Sequence, residues 1–380
     1  MRAAGKLPRE KTRALWFSEN GLGGFGLGGF GLSEFGLGEF GLGGLSVNQI
    51  ESVLLVIAAA ILDFGLGDPW NWPHPVQLMG KAISVYSGPL IRRPYSPLVM
   101  KIAGVWLAIL LIGGTAALSA GVLALLAQIS PYLAWVAEVV LLASCFAGRS
   151  LRHAAEDVLR PLSGHLSGHL SGTDLADGSP LAQARKNLAR YVGRDTVHLS
   201  AAEIRRAVLE TVSENAIDGV LAPLFYAIVG TLVGMAAPIA LAYKAASTLD
   251  SMVGYKEAPY TDLGWFSARF EDVLTWLPCR LSVGAIALLS GRPLRVLRIC
   301  WRDARTDPSP NAGWSECAYA AALGVQLGGE NQYRGKVKLK PLLGDATTPI
   351  TDDIISRAMM LTRWSFLLGL VVGICAIALL

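Results

Sequence analysis

Charged side chains are scarce in this sequence. Only 16% of the 380 residues are Asp, Glu, Lys or Arg, whereas 52% are hydrophobic. Soluble domains carry about 25% charged residues, so the chain lacks the polar surface that a protein of this length needs in water. The composition therefore predicts a membrane protein. The net charge of +4 is modest, which suits anionic lipid headgroups or phosphorylated substrates and predicts no nucleic-acid partner.

Cysteine pairs and nucleotide-binding loops are also missing. The five cysteines are scattered singly, without a CxxC pair. The sequence therefore predicts neither a zinc site nor a disulfide framework, and it fits a reducing, cytoplasm-facing protein. Neither GxxxxGK[ST] nor GxGxxG occurs. Any nucleotide must therefore be bound without a P-loop or a Rossmann turn.

Long apolar runs are abundant. Residues 98–130 and 131–147 each hold a single charged side chain and predict a transmembrane hairpin. A shorter run at 52–62 and a C-terminal run at 364–380 predict further membrane segments. We therefore expect an all-α, polytopic membrane protein with about four to five membrane segments and helical cytoplasmic loops.

The N-terminal residues differ from the rest of the chain. Residues 1–46 are first basic and then repeat a glycine-rich unit of five residues, GLGGF, over 21–45. So much glycine disfavours a stable helix, so we expect a flexible extension. The integral membrane domain is predicted to cover 47–380, with polar loops at 149–218 and 244–363.

The apolar segment 219–242 raises a question of topology. Arg and Lys are dense on both sides of it, in 149–206 and in 292–363, and such loops stay in the cytoplasm. A single crossing would separate the two loops. We therefore predict a re-entrant helical hairpin in the cell (inner or plasma) membrane, with the active face cytoplasmic. Four residues break the segment, namely Pro223, Gly230, Gly234 and Pro238.

Three carboxylates precede that segment. Glu210, Glu214 and Asp218 follow each other at intervals of four residues, which places them along one stripe of a helix. A solvated helix face would explain the stripe, but the helix runs directly into apolar sequence, where unpaired carboxylates are costly. Mg²⁺ takes one or two carboxylates together with substrate phosphates. We predict Glu214 and Asp218 as magnesium ligands.

A second polar cluster, Lys244, Asp250 and Ser251, follows the segment. Lys244 could simply extend to a membrane edge, but its neighbours also suit a phosphate contact. Near the N-terminus, Asp63 interrupts an apolar run and His74 lies between two prolines. An intramembrane carboxylate indicates function, while His74 suits a site and plain packing equally.

Aromatic and polar residues recur further along the chain. Trp265 and Arg269 lie in GWFSARFEDVLTW, and such pairs suit a broad planar ligand, although tryptophan also marks membrane interfaces. Asn311 lies in a Pro/Gly turn, DPSPNAGWSE.

Six blocks of the sequence, in the same order, resemble the membrane-bound adenosylcobinamide-phosphate synthases of cobalamin biosynthesis, the CbiB/CobD family. Cys279 and Cys317 stand where small residues are expected, a mild departure. The blocks are LDFGLGDPWNWPHPVQLMGK (62–81), VGRDT (192–196), ETVSENAIDGVLAPLFY (210–226), YKAASTLDSMVGYK (243–256), GWFSARFEDVLTWLPCRL (264–281) and SPNAGWSECAYAAALGVQLGG (309–329).

The resemblance implies ATP-dependent amide formation between a propionate carboxyl of adenosylcobyric acid and the amine of aminopropanol or aminopropanol phosphate. It implies a ligase with ATP as cosubstrate, Mg²⁺ as cofactor, a lipid bilayer around it and other cobalamin-synthesis enzymes as candidate partners. The roles expected from residue chemistry are catalysis by Glu210, Asp250, Asp63 and His74, and substrate or phosphate binding by Arg194, Lys244, Ser251, Arg269, Trp265 and Asn311.

Two other classes of function stay open at this point. A membrane transporter would also carry intramembrane acids and a glycine-broken re-entrant segment, although the sequence has no detectable inverted repeat. A non-catalytic scaffold of a corrinoid-synthesis complex would bind without turnover.

Overall fold

The computed structural model describes residues 46–67, 74–163 and 179–379. The predicted extension lies outside these ranges except for Ser46. Ser46 begins the first helix with a capping box. Its hydroxyl accepts a hydrogen bond from the Gln49 amide, and the Gln49 side chain accepts one from the Ser46 amide.

The described residues form thirteen α-helices and one antiparallel two-stranded sheet. A π-helical segment, Ile217–Leu221, joins α7 to α8. The helices are α1 (Val47–Gly65), α2 (Pro75–Ile91), α3 (Pro97–Ile129), α4 (Pro131–Ala143), α5 (Gly148–Ser163), α6 (Pro180–Leu188), α7 (Ala201–Ala216), α8 (Ala222–Leu232), α9 (Ala236–Val253), α10 (Trp265–Leu289), α11 (Pro293–Asp303), α12 (Ala312–Leu323) and α13 (Asp352–Leu379), and the strands are β1 (Leu327–Tyr333) and β2 (Lys336–Leu343).

The prediction of an all-α, polytopic membrane protein is confirmed. Six helical stretches among the described residues are long and apolar enough to cross a membrane, where the sequence predicted about four to five. Two of the six, Ala201–Leu232 and Trp265–Leu289, begin with polar residues. Their apolar parts alone are therefore shorter than the helices in the structure. The six are Val47–Gly65, Pro97–Ile129, Pro131–Ser163, Ala201–Leu232, Trp265–Leu289 and Asp352–Leu379.

The broken segment 219–242 folds as a helical hairpin. α8 ends at Leu232, and α9 begins at Ala236 and packs back against α8. Gly234 has φ +69° at the tip, a backbone conformation that favours glycine. A Cβ on Gly230 would lie 2.6 Å from the Met235 carbonyl oxygen, so the tip also requires a glycine there. The first arm is longer than predicted, because the stretch is helical from Ala201.

A β-hairpin replaces part of the helical loop predicted for 244–363. The alternation of Val337 and Leu339 with lysines follows the period of a strand. Arg334 and Gly335 connect the strands, with φ values of 50° and 76°. Two consecutive positive φ values are those of a type I′ turn, whose twist matches that of a two-residue hairpin.

Direct hydrogen bonds join the two Arg- and Lys-rich regions. The amide of Asp195 donates to the Gln332 carbonyl oxygen over 2.8 Å. The Asp195 carboxylate in turn accepts hydrogen bonds from the amides of Arg334 and Gly335, at 3.1 and 2.7 Å. The segment before α7 and the tip of the β-hairpin therefore lie on the same side of the membrane.

Candidate functional site

The π-helical segment divides the predicted carboxylate stripe. Asp218 lies inside this segment, whereas Glu210 and Glu214 lie in α7. A π turn adds a residue and rotates the side chains that follow, and such segments are frequent at functional sites. Glu210 and Asp218 consequently contact different surroundings.

Glu210 forms a buried ion pair with Arg194. The two side chains are 2% and 7% exposed, and Glu210 Oε1 also accepts a hydrogen bond from the Gly328 amide over 3.0 Å. Arg194 donates to Asn331 Oδ1 over 2.8 Å. Two predicted site residues thus lie together, and both hold the β-hairpin against α7. The catalytic role predicted for Glu210 and the phosphate-binding role predicted for Arg194 stay predictions.

Glu214 is the central residue of the site. Its side chain is exposed, and its charge interacts with those of Lys340, Asp307, Glu210 and Arg194. These residues come from β2, the loop before α12, α7 and the loop before α7. The Glu214 carboxylate is therefore accessible to solvent and lies within electrostatic range of residues from several segments.

Asp218 has different electrostatic partners from Glu214. Its charge interacts with those of Glu271, Glu214, Asp250 and Lys244, so α7, α9 and α10 converge here. We call Glu214, Asp218, Asp250 and Glu271 the acidic cluster. Of the predicted residues, the structure brings together Glu214, Asp218, Asp250 and Lys244.

Two charged residues of the site, Glu316 and Lys340, are paired. Lys340 Nζ lies 3.0 Å from Glu316 Oε1. Burial raises the pKa of Glu316 to about 8, and the nearby Lys340 ammonium opposes this only in part, while Glu214 and Glu210 add to it. Burial alone would lower the pKa of Lys340, but the carboxylates of Glu316 and Glu214 reverse the shift, and the pKa is raised. Because Glu214 and Glu210 also raise the pKa of Lys340, the lysine stays a cation beside the acidic cluster even when Glu316 carries its proton.

Three site residues were missed from the sequence. Lys340 lies in KVKLK, where every second residue is a lysine, and nothing local distinguishes it from its neighbours. Glu316 is fully buried, and it lies at the end of the turn DPSPNAGWSE, whose Pro and Gly residues suggest an exposed position. Glu271 carries only a weak signal, because Arg269 and Asp272 lie beside it in the same helix and give the polar turn an ordinary appearance.

The acidic cluster suits Mg²⁺ that is shared with a phosphate ligand. Neither Glu214 nor Asp218 is held by a hydrogen bond to another described residue. Glu316 Oε2 is buried without a hydrogen-bond partner there. Within the same ranges, no group of three or more His, Cys, Asp or Glu side chains could hold a metal ion. Because Mg²⁺ needs only one or two carboxylates when phosphate oxygens complete its coordination, the donor set fits.

Two intramembrane acids, Asp63 and Glu138, contact the N-termini of other helices, and the catalytic role predicted for Asp63 stays a prediction. Asp63 is 3% exposed, and its Oδ2 accepts a hydrogen bond from the Gly148 amide, at the first residue of α5, over 3.2 Å. Glu138 Oε1 accepts one from the Ala237 amide, in the first turn of α9, over 3.4 Å. Carboxylates at helix N-termini satisfy free amides and complement the helix dipole.

His74 caps α2, because its Nδ1 accepts a hydrogen bond from the Val76 amide over 3.2 Å. Ser251 is exposed, and its hydroxyl donates to the Ser247 carbonyl oxygen. Trp265 is half exposed, with Lys101 Nζ 5.8 Å from its ring centroid. These contacts neither support nor oppose the roles predicted for the three residues.

Arg269 lies in α10, and Asn311 contacts α10 from the start of α12. Arg269 is exposed, and its charge interacts with that of Asp272. Asn311 Nδ2 donates to the Asp272 carbonyl oxygen over 2.9 Å, and Asn311 Oδ1 accepts a hydrogen bond from Arg280 over 2.6 Å. Asn311 therefore fastens the loop before α12 to α10.

Comparisons with known proteins agree on one family. The family profile described as "CobD/Cbib protein" matches residues 56–362. "Cobalamin biosynthesis protein CobD" from Synechocystis sp. is 47% identical over 327 residues, which cover 84% of this chain and 92% of that protein. "Cobalamin biosynthesis protein CbiB" from Salmonella typhimurium is 43% identical over 333 residues, covering 86% and 97%. No solved structure matches this chain.

The family profile covers well over half of the chain, and it includes every residue of the acidic cluster together with Lys244, Glu316 and Lys340. The sequence relatives extend over nearly their whole lengths. This chain belongs to the CobD/CbiB family.

Proposed function

We propose that this protein is a cobalamin-biosynthesis ligase that uses ATP to join a propionate carboxyl of adenosylcobyric acid to the amine of aminopropanol or its phosphate. The observation that carries the proposal is the acidic cluster with Lys244 and Lys340 at its two sides. Carboxylates for a metal and cations for phosphate oxygens, arranged together, suit phosphoryl transfer.

Family membership supports the pathway. The relatives from Synechocystis and Salmonella carry the words cobalamin biosynthesis in their names. Those names specify no reaction. The amide ligation rests on the resemblance of the sequence motifs and on the chemistry of the acidic cluster.

The reaction has two steps in this proposal. An oxygen of the substrate carboxylate attacks the γ-phosphorus of ATP, the bond to the bridging oxygen breaks, and ADP leaves. The resulting acyl phosphate is then attacked by the neutral amine at its carbonyl carbon. The carbon–oxygen bond to phosphate breaks, so that inorganic phosphate leaves with one oxygen of the original carboxylate, and the amine proton passes to a base.

Each residue near the cluster has a part in these steps. Glu214 and Asp218 would hold Mg²⁺, which would neutralise charge on the phosphate oxygens. Lys340 and Lys244 stabilise the negative charge that spreads over the transferring phosphoryl group. Asp250 accepts the amine proton, because an amine with a pKa near 10 must lose a proton before it attacks.

Arg194 and Glu210 act differently in this scheme. Their ion pair fixes β1 against α7, and β2, which pairs with β1, carries Lys340. The pair therefore positions the lysine without touching the substrate. The reaction faces the cytoplasm, because the Arg- and Lys-rich segments that surround the cluster follow the positive-inside rule in the cell membrane.

A transporter is the main alternative, and two contacts oppose it. Of the three acids that a transport path would use, Asp63, Glu138 and Asp218, the first two each accept a hydrogen bond from an amide at the N-terminus of another helix. A scaffold without catalysis remains the third class. It would bind a corrinoid substrate and leave it unchanged.

One assay separates the three classes. Purified protein is incubated with adenosylcobyric acid, ATP, Mg²⁺ and aminopropanol phosphate, and the corrinoid is analysed by mass spectrometry. We expect a product heavier by one aminopropanol phosphate less one water, together with ADP. Glu214→Gln should lower the rate at least about a hundredfold and weaken Mg²⁺ binding, whereas Glu330→Gln, at an exposed position in β1, should change neither. Unchanged corrinoid with the wild-type protein would refute the proposal.

A further inference from the structure

A pocket of about 450 Å³ lies beside the acidic cluster, between α10, α11 and the loop before α12. We call it the tryptophan pocket. Three indole rings and two guanidinium groups form much of its lining, and Asp307 completes it. The aromatic and basic residues are Trp276, Arg280, Trp301, Arg305 and Trp314.

The walls of the pocket are held in place. The Arg280 guanidinium lies 5.0 Å from the ring centroids of both Trp276 and Trp314. It donates hydrogen bonds to Asn311 Oδ1 over 2.6 Å and to the Pro310 carbonyl oxygen over 2.8 Å. Because two hydrogen bonds fix the guanidinium group, the two indole rings that it contacts are oriented before a ligand binds.

The third indole ring, that of Trp301, also contacts a guanidinium group. The Arg305 guanidinium lies 3.6 Å from the Trp301 ring centroid. Trp301 and Trp314 meet edge to face with their ring centroids 6.4 Å apart. Indole rings and guanidinium groups both stack on flat aromatic ligands. A heterocyclic base in this pocket would therefore contact both kinds of group.

The size of the pocket selects among flat ligands. Sites that bury drug-sized molecules have volumes of about 300–1,000 Å³, and this pocket lies in the lower half of that range. A nucleoside fits such a volume. A corrin ring with all its acetamide and propionamide side chains is much larger than a drug-sized molecule and does not.

The position of the pocket connects it to the site. Asp307 lines the pocket, and its charge interacts with that of Glu214. α10 is a shared wall, because Glu271 belongs to the acidic cluster and Trp276 and Arg280 face the pocket. A nucleoside in the pocket therefore extends its phosphates toward Glu214 and the neighbouring Lys340.

We propose that the tryptophan pocket binds the base and ribose of ATP. The inference rests on the proposed function, which requires ATP, and it accounts for nucleotide binding in a chain without a P-loop or a Rossmann turn. The bases stack on the indole rings, and the Asp307 carboxylate accepts hydrogen bonds from ribose hydroxyls, as acidic residues do in other nucleotide sites.

The test measures nucleotide binding to the purified full-length protein in detergent, with a non-hydrolysable ATP analogue and Mg²⁺, by calorimetry. Trp301→Ala should weaken binding of the analogue roughly tenfold or more, because loss of one stacking partner has an effect of this size. Trp301→Phe should restore most of the affinity. Trp364→Ala removes an indole that is 58% exposed, against 62% for Trp301, and should leave affinity unchanged.

A second ligand separates the base from the phosphates. Tripolyphosphate should bind equally to wild-type protein and to Trp301→Ala, since the pocket contacts no phosphate. Adenosine should compete with the ATP analogue in the wild-type protein.

Two outcomes would overturn the inference while the proposed function stands. In the first, the wild-type protein binds the analogue and forms the amide, but Trp301→Ala binds the analogue equally well. In the second, Trp301→Ala weakens binding of adenosylcobyric acid or of short-chain phosphatidylglycerol and not of the analogue. A wild-type protein that neither binds the analogue nor forms the amide would overturn both proposals.

Discussion

Buried charges determine how several single substitutions affect the stability of this protein. Arg194 and Glu210 are almost completely inaccessible to solvent, and the charge of each is balanced by the charge of the other. Removing one member of such a pair leaves an isolated charge in the interior, whereas replacing both with apolar side chains of similar volume is far better tolerated.

We therefore expect Arg194→Ala to lower the free energy of unfolding by about 3–5 kcal/mol. The double variant Arg194→Met, Glu210→Met should recover most of the loss, as measured by denaturation of the purified protein in detergent. Activity of the folded double variant then tests the role of Glu210. Full activity would assign the pair to structure, and a folded but inactive variant would favour the catalytic role predicted from the sequence.

Glu316 makes the stability depend on pH. Its pKa rises from an ordinary value of 4.5 to about 8 in the folded protein, chiefly through burial. Between these values the folded state holds a proton that the unfolded state has lost, so stability falls as pH rises, by at most about 1.4 kcal/mol per pH unit. The groups that face it are Lys340, Glu214 and Glu210.

Unfolding midpoints measured from pH 5 to pH 8 test this dependence. Glu316→Gln, which carries no titrating group, should flatten the decline in this range, whereas the exposed control Glu330→Gln should not. A wild-type profile equal to that of Glu316→Gln would contradict the account.

The sequence predicted single residues unevenly. Glu214, Asp218, Lys244 and Asp250 interact electrostatically, and the sequence grouped them because a carboxylate stripe and a second polar cluster flank one apolar segment. Lys340 could not be recognised, since its partner Glu316 lies 24 positions away. A long-range ion pair leaves no periodic signal.

At the scale of single elements, the β-hairpin is the least expected feature. The sequence predicted helical loops here, although the alternation in KVKLK has the period of a strand. Two glycines with positive φ control its shape in different ways. A Cβ on Gly328 would lie 1.9 Å from the Pro341 carbonyl oxygen, whereas a Cβ on Gly335 would meet nothing within 4 Å.

These two glycines form a matched pair of tests. Gly335→Ala introduces backbone strain alone and should cost about 1 kcal/mol of unfolding free energy. Gly328→Ala adds a collision with the partner strand and disturbs the amide that binds Glu210, so it should cost at least about 3 kcal/mol. Denaturation curves that show equal losses for both would mean that the hairpin is not packed as described.

The π-helical segment is the second element that the sequence does not indicate. Ile217–Leu221 has an ordinary apolar composition apart from Asp218. Nothing in this local composition distinguishes a π turn from an α turn. The predicted stripe of three carboxylates was therefore correct for Glu210 and Glu214 in α7 but did not anticipate that Asp218 faces α9 and α10.

For the whole molecule, composition and long apolar runs were sufficient to predict the fold class. Composition and apolar runs did not give the number of candidate spans. The helical stretches that start at Ala201 and at Trp265 each begin with polar turns, and the same helix then continues into apolar sequence. The helical hairpin of α8 and α9 was predictable, since glycine and proline mark its tip and its ends.

Sidedness follows from the contacts of Asp195 with the β-hairpin. Cysteines introduced at the exposed positions Ser200 and Lys336 should react with a membrane-impermeant maleimide on the same side, the cytoplasmic one. Cys375→Ser provides the background, because Cys375 is the one exposed cysteine and the other four are buried. Labelling of the two positions from opposite sides of the membrane would contradict the fold.

The central claim is that ATP activates a carboxylate of the corrinoid at the acidic cluster. The most direct measurement uses adenosylcobyric acid whose reacting carboxylate carries a heavy-oxygen label, with ATP, Mg²⁺, aminopropanol phosphate and purified protein. Mass spectrometry should find one labelled oxygen in inorganic phosphate for each amide formed, and the other in the amide. Amide formation with no label in phosphate, or with the label in AMP, would contradict the account.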